Sequence, residues 1–330
     1  MKLICSDMRA LLYLVFITII ISSCSGDRHY ERFLDEISDL EKNSDYGLAR
    51  EQLKLKMHLY PDNEFDLLKE LVYLNEKLGY YKENLELFRE AHARGYFFLI
   101  HPAMPKYKPY MELEDFASIS ERDLELRDST NSVSIPVYDV ILPLAHKKNK
   151  SYPLLFIFHG GGSNIERAKD YWTSEEIDNK YIRVFLQSAI HSDFNTYGWK
   201  NSDSSAVAII NEAYEYVRTS FSVNTSNIYI CGISAGASSA IYSACTGNIA
   251  AKGLFVVCTG IPEDLTVEDY ARVSDISFII IGGETDYYRP RQNRLLDSLK
   301  KAELDYEYIL IPGMGHQYPD NFSKLLELYL

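Results

Sequence analysis

The segment Ile228-Tyr229-Ile230-Cys231-Gly232-Ile233-Ser234-Ala235-Gly236-Ala237 joins two patterns within ten residues. Ile228–Cys231 is an apolar run of the kind that forms a strand buried on both faces. Ala237–Ala244 is a run of small residues that continues as a helix. A strand that turns into a helix this abruptly needs glycine where a side chain would strike neighbouring backbone, and Gly232 and Gly236 stand in those places. The turn lifts the Ser234 hydroxyl off the strand end and sets a helix N-terminus beneath it.

Around this segment the chain alternates in the same way. Short β-rich runs occur at Val137–Leu142, Leu154–Phe158, Ile182–Gln187, Leu254–Cys258, Ile276–Ile281 and Tyr306–Ile311. Helical patterns separate several of them, the clearest being the stripe Val207, Ile210, Tyr214, Val217 and Phe221. Apolar strands separated by helices predict a mostly parallel sheet covered on both faces. Ligands in such sheets bind beyond the carboxyl ends of the strands.

Three more groups follow strands at that edge. His159-Gly160-Gly161-Gly162 comes after Leu154–Phe158, Gly282-Gly283-Glu284-Thr285-Asp286 after Phe278–Ile281, and Gly313-Met314-Gly315-His316 after Tyr308–Pro312. A serine hydroxyl at neutral pH is a poor nucleophile and needs an imidazole to take its proton. The imidazole in turn needs a carboxylate to fix its tautomer. Glycines after a strand free backbone N–H groups to face a developing oxyanion.

Taken together, residues 136–330 resemble the α/β-hydrolases, in which serine, acid and histidine follow in that order. The resemblance implies a nucleophile at Ser234, an acid at Asp286 (Glu284 being the alternative) and a general base at His316. It also implies an oxyanion hole from Gly160 or Gly161 with the Ala235 amide, and it reads His159 as shaping its loop. The strand–HGGG–Ser163-Asn164 opening is similar to the phospholipase/carboxylesterase branch and to its feruloyl-esterase-like relatives. Those families place residues such as Gln187 and Trp199 at the substrate mouth, although core packing is an equal reading of Trp199. The implied activity is hydrolysis of a small-molecule carboxylic ester, an acylated carbohydrate being one candidate. No metal or organic cofactor is implied. A prolyl-oligopeptidase-type peptidase shares the triad, but the β repeats of its usual propeller do not occur here. A lipid-anchored binding protein with vestigial catalysis is a second alternative.

Residues 27 to about 130 read as helix. Leu67, Leu68, Leu71, Leu74 and Leu78 recur at helical spacing up to Gly79, and Leu85, Phe88 and Ala91 follow on a second helix. With Tyr46 lying 35 residues before Tyr81, these positions resemble a tetratricopeptide repeat. Asn84 departs from the pattern, standing where a small residue would let the helices approach. Either an architectural extension or a protein-binding surface fits the region. A linker helix is expected to bury Leu113, Phe116, Ala117 and Leu124.

The N-terminus reads as an address. Lys2 and Arg9 precede the apolar run Leu11–Ile21, and Ile21-Ser22-Ser23-Cys24 resembles the lipobox of bacterial lipoproteins. That resemblance implies cleavage before Cys24, lipidation of its thiol and anchorage of an exported protein to a bacterial membrane. A transmembrane anchor is the alternative, but the run falls short of the roughly 20 residues that span a bilayer. The expected organisation is therefore a leader over 1–23, a helical region with linker over 24–130 and an α/β domain over 131–330. Cys231, Cys245 and Cys258 lie in apolar stretches, and an exported compartment would permit a Cys245–Cys258 disulfide. The formal net charge of −13 in 330 residues argues against nucleic acid as a partner.

Overall fold

A computed structural model describes residues 29–200 and 204–330. The leader and Cys24, and with them the lipobox reading, lie outside the described residues, among which no helix is long and apolar enough to cross a membrane. Contacts divide the chain into two units between Leu124 and Glu125.

The first unit is helical because its apolar residues recur at turns of 3.6. Helices α1 (residues 29–42), α2 (Tyr46–Lys56), α3 (Glu64–Leu78) and α4 (Tyr81–Ala93) follow one another through short connections. The αL conformation of Gly79, φ +78°, ends α3, and the Tyr80 amide bonds back to the Asn75 carbonyl at 2.8 Å. Leu67, Leu71 and Leu74 pack with Phe33, Ile37, Ala49 and Leu53, whereas Phe65 and Leu68 pack with Leu85, Phe88 and Ala91. One helix thus serves two small cores.

Asn84 is buried, and its departure from the repeat pattern has a structural use. Its Oδ1 accepts from Asn75 Nδ2 at 2.8 Å, and its Nδ2 donates to Val72 O at 3.0 Å and to Tyr110 Oη at 2.8 Å. Asn75 Oδ1 in turn accepts from Arg50 Nε at 2.5 Å. A polar chain therefore ties α2, α3 and α4 together where a small residue would have packed directly.

Helix α5 (Phe116–Asn131) corrects an expectation. Its buried residues are Phe116, Ile119, Ser120 and Asp123; Ala117 and Leu124 face outward, and Leu113 precedes the helix. Asp123 sets the rotation. Its carboxylate accepts from the amides of Phe98 and Ile100, each at 2.7 Å, and meets His92 Nε2 at 3.0 Å. Apolar spacing could not reveal a buried acid.

In the second unit each of the seven apolar runs becomes a strand of one sheet. In chain order the strands are β1 (Val137–Ile141), β2 (Tyr152–Phe158), β3 (Ile182–Gln187), the hairpin β4 (Ile190–Asp193) and β5 (Thr196–Gly198), β6 (Val223–Ile233), β7 (Gly253–Val257), β8 (Ser277–Gly283) and β9 (Tyr306–Ile311). The sheet order is β1-β3-β2-β6-β7-β8-β9, with β1 antiparallel to β3 and every other pair parallel. The central strands β2, β6, β7 and β8 are almost wholly buried at their carboxyl halves, while the edge strands β1 and β9 are only partly buried along their length. Helices α6 (Ile165–Lys169), α7 (Glu175–Lys180) and α12 (Phe322–Tyr329) cover one face. The other face is covered by α8 (Ser204–Ser220), α9 (Ala235–Thr246), α10 (Val267–Ala271) and α11 (Arg289–Lys301). This is an α/β-hydrolase fold.

All three described cysteines are free and buried, so the Cys245–Cys258 disulfide does not form. Cys245 packs among the residues under α9 and Cys258 among those of the opposite face, and the sheet separates the two thiols.

Replacing Asn84 by Ala leaves the Asn75 amide and the Tyr110 hydroxyl each short of a buried partner. The variant should lose about 1–3 kcal/mol of stability in the helical unit, read as a lower urea midpoint by far-ultraviolet circular dichroism. An unchanged midpoint would contradict the polar-chain account.

Candidate active site

The turn after β6 is built by two close approaches. A Cβ at position 232 would lie 2.8 Å from the Gly236 backbone, and a Cβ at 236 would collide with the carbonyl oxygens of Phe158 and His159. Only glycine permits both. Between them Ser234 adopts φ 56° and ψ −122°, a conformation rare for a residue with a side chain and costing on the order of 1–3 kcal/mol. Its amide is held by Val257 O at 2.9 Å, and α9 begins at the next residue.

His316 reaches Ser234 from the loop after β9. Its Nε2 lies 2.7 Å from Ser234 Oγ, and its Nδ1 lies 2.8 Å from Asp286 Oδ1. With Nδ1–H donating to the carboxylate, the Nε2 lone pair accepts from the serine hydroxyl. Asp286 is 4% exposed and comes from the loop after β8. Its Oδ1 also accepts from the Tyr288 amide at 2.7 Å, and its Oδ2 accepts from Gln292 Nε2 at 2.8 Å. Gln292 Oε1 accepts in turn from Tyr308 Oη at 3.1 Å. Each lateral freedom of the carboxylate is thereby taken up. Glu284, the alternative acid, is exposed and accepts from the Gly313 amide at 2.9 Å instead, bracing the loop that carries His316.

The loop after β2 lies over the same turn, the Gly161 Cβ position being 3.4 Å from Ala235 Cβ. Hairpin β4–β5 holds it from behind: the Gly162 amide donates to Tyr197 O at 2.8 Å, and the Tyr197 amide to Ser163 O at 2.7 Å. Trp199 is buried, donates from Nε1 to His159 O at 2.9 Å and packs edge-on against Phe158. Gln187 Oε1 accepts from the Ile165 amide at 3.2 Å. Among the described residues, neither Trp199 nor Gln187 lines the cavity over Ser234. The structure gives both a part in holding the glycine loop and the helix after it, which for Trp199 agrees with its core-packing reading.

That cavity, of about 330 Å³, is lined by Gly160, Gly161, Ser163, Ile233, Ser234 and His316, together with Arg167, Tyr171, Tyr287, Gln317 and Tyr318. Tyr171 and Tyr318 stack at 4.1 Å between centroids, and Tyr287 and Tyr288 flank the His316 ring at 4.6 and 4.9 Å. These tyrosines went unassigned in the sequence, although Tyr287 and Tyr288 directly follow Asp286. Gln292 gave no signal, because its role depends on α11 folding back beneath the acid. Burial, followed by the neighbouring Asp286, pushes the Cys258 thiol up to about 12, so it is a poor rival to the serine.

His159 is buried, with Nδ1–H donating to Gly160 O at 2.7 Å and Nε2 making no hydrogen bond among the described residues. Desolvation lowers its pKa from 6.5 to about 4, against the opposing effect of the Gly160 carbonyl. The unfolded chain therefore takes up a proton first on acidification. The stabilisation is fully present above pH 6.5 and is lost as the pH falls toward 4. Wild type should lose about 3 kcal/mol over that interval from this group, and His159→Asn correspondingly less, measured by urea unfolding at successive pH values. Identical pH slopes in the two proteins would refute the assignment.

No family model matches this chain, and no curated protein matches it. Solved structures do. An uncharacterized protein from Bacillus cereus ATCC 10987 is 19% identical with a TM-score of 0.48, over 91% of this chain and 97% of that one. A ferulic acid esterase is 17% identical with a TM-score of 0.47, over 58% of this chain and 89% of that one. A phospholipase/carboxylesterase from Dyadobacter fermentans DSM 18053 is 15% identical with a TM-score of 0.45, over 59% and 95%. Similarity at this level carries no weight for chemistry, which rests on the geometry of Ser234, His316 and Asp286.

Proposed function

We propose that the protein is a serine hydrolase of carboxylic esters. The observation that carries this reading is the continuous line from Ser234 Oγ to His316 Nε2 at 2.7 Å and from His316 Nδ1 to Asp286 at 2.8 Å, on the wall of an open cavity. In the reaction His316 takes the serine proton as Oγ attacks the ester carbonyl. The Ala235 amide at the start of α9 and the Gly160 or Gly161 amide stabilise the oxyanion, one such donor contributing roughly 2.7–4 kcal/mol. Asp286 keeps the proton on Nδ1 and stabilises the imidazolium. The imidazolium then protonates the leaving alcohol, and the neutral ring activates a water that releases the acid.

A fluorophosphonate probe and a p-nitrophenyl ester test the reading. Wild type should be labelled and should hydrolyse the ester; Ser234→Ala should do neither, and His316→Ala should lose at least about 10³-fold in rate. Retention of most activity in either variant, or turnover of aminoacyl arylamides in preference to esters, would overturn it. The second outcome would favour a peptidase.

The helical unit we take as an architectural extension. The apolar run before Cys24 and the small residues beside it support export with a lipid on that cysteine. In a bacterial host the full chain should incorporate labelled palmitate and sediment with membranes, and Cys24→Ser should do neither; labelling of both proteins would remove the proposal.

A further inference from the structure

We propose that Cys258, Asp286 and His316 form a binding site for one soft divalent cation of the zinc class, and that its occupation switches off the Ser234–His316 pair. The thiol sulfur, a carboxylate oxygen and an imidazole nitrogen of these residues all lie within 4.8 Å of one another. Cys258 stands directly after β7 with φ 48°, a backbone conformation that a β-carbon disfavours. Its amide is fixed by Ile281 O at 2.8 Å. The sulfur lies 3.8 Å from Gly315 O and 3.5 Å from Gln317 O, the carbonyls of the residues on either side of His316. The nitrogen facing Asp286 is Nδ1.

A thiolate, an imidazole and a carboxylate are the donor set that favours zinc over magnesium or calcium. Zinc–ligand lengths place such donors about 3.4–3.6 Å apart. The Nδ1–Oδ1 pair, at 2.8 Å, would therefore open slightly, and the sulfur would close in from within 4.8 Å. His316 directly follows Gly313-Met314-Gly315 and lines the cavity over Ser234, whereas Cys258 and Asp286 are buried beside it, so the imidazole is the ligand that an ion from solvent meets first.

The proton balance explains the inhibition. In the active tautomer the ring carries its proton on Nδ1 and accepts the serine proton at Nε2. A cation bound at Nδ1 moves that proton to Nε2, where no lone pair is left for Ser234. The Cys258 proton leaves to solvent as the thiolate binds, and Asp286 exchanges its hydrogen bond from His316 for a bond to the ion. The site thus releases one proton per cation.

The inhibitory half of this proposal rests on the hydrolase reading; the binding half does not. Titration of the full chain with Cd²⁺ should raise a sulfur-to-metal charge-transfer absorbance that saturates at one equivalent. Apparent affinity should fall roughly tenfold or more in Cys258→Ala and, without touching the thiol, in His316→Ala; Cys231→Ala should bind as wild type. Zn²⁺ should inhibit ester hydrolysis by wild type reversibly with chelator, and whatever activity Cys258→Ala retains should be insensitive to it. An absorbance unaltered in both Cys258→Ala and His316→Ala, or none in wild type, overturns the site. A wild type that binds Cd²⁺ in this way yet never hydrolyses an ester keeps the site and removes the hydrolase.

Discussion

The pairing of β2 with β6 is the constraint on which the site depends. Phe158 stands opposite Gly232 in parallel register, so both strands end at the same level. The chain leaving β2 and the chain leaving β6 then have to pass each other at contact distance. They do so because position 236 presents no β-carbon to the carbonyls of Phe158 and His159. One close approach aligns the glycine loop over the start of α9. It also leaves Ser234 in a strained conformation that neighbouring backbone holds in place.

The rest of the site is arranged as successive restraint. Ser234 is positioned by backbone, His316 by Asp286, and Asp286 by the Tyr288 amide, Gln292 and, through Gln292, Tyr308. The buried polar groups satisfy one another, and this also limits the freedom of the imidazole. On the other side Trp199 and hairpin β4–β5 hold the glycine loop through its carbonyls and amides. His159 is neutral and buried, a wedge under that loop rather than a proton carrier.

The helical unit follows the same logic at lower density. Its two small cores share α3, and the polar chain from Arg50 through Asn75 and Asn84 to Tyr110 joins helices that apolar contact alone would leave loosely specified. Asp123 does for α5 what Asp286 does for His316, collecting amide donors and thereby fixing an orientation.

What the sequence determined by itself is whatever depends on local pattern. Seven runs rich in apolar and β-branched residues marked seven strands because a sheet covered by helices buries most of the side chains of its central strands. The glycines around Ser234 announced a sharp turn because no other residue fits one. The order of serine, acid and histidine after successive strands pointed to one edge of a sheet. Tertiary structure decided matters of neighbourhood. It set β1 antiparallel at the edge, used Trp199 to brace the glycine loop and Gln187 to hold the start of α6, and put Asp286 rather than Glu284 against His316. It also put Cys245 and Cys258 on opposite faces, brought Tyr287 and Cys258 beside the imidazole and set Gln292 against the acid. None of these carries a local signal, because a hydrogen bond across tens of residues is specified by the packing of whole strands and helices rather than by the residues that make it.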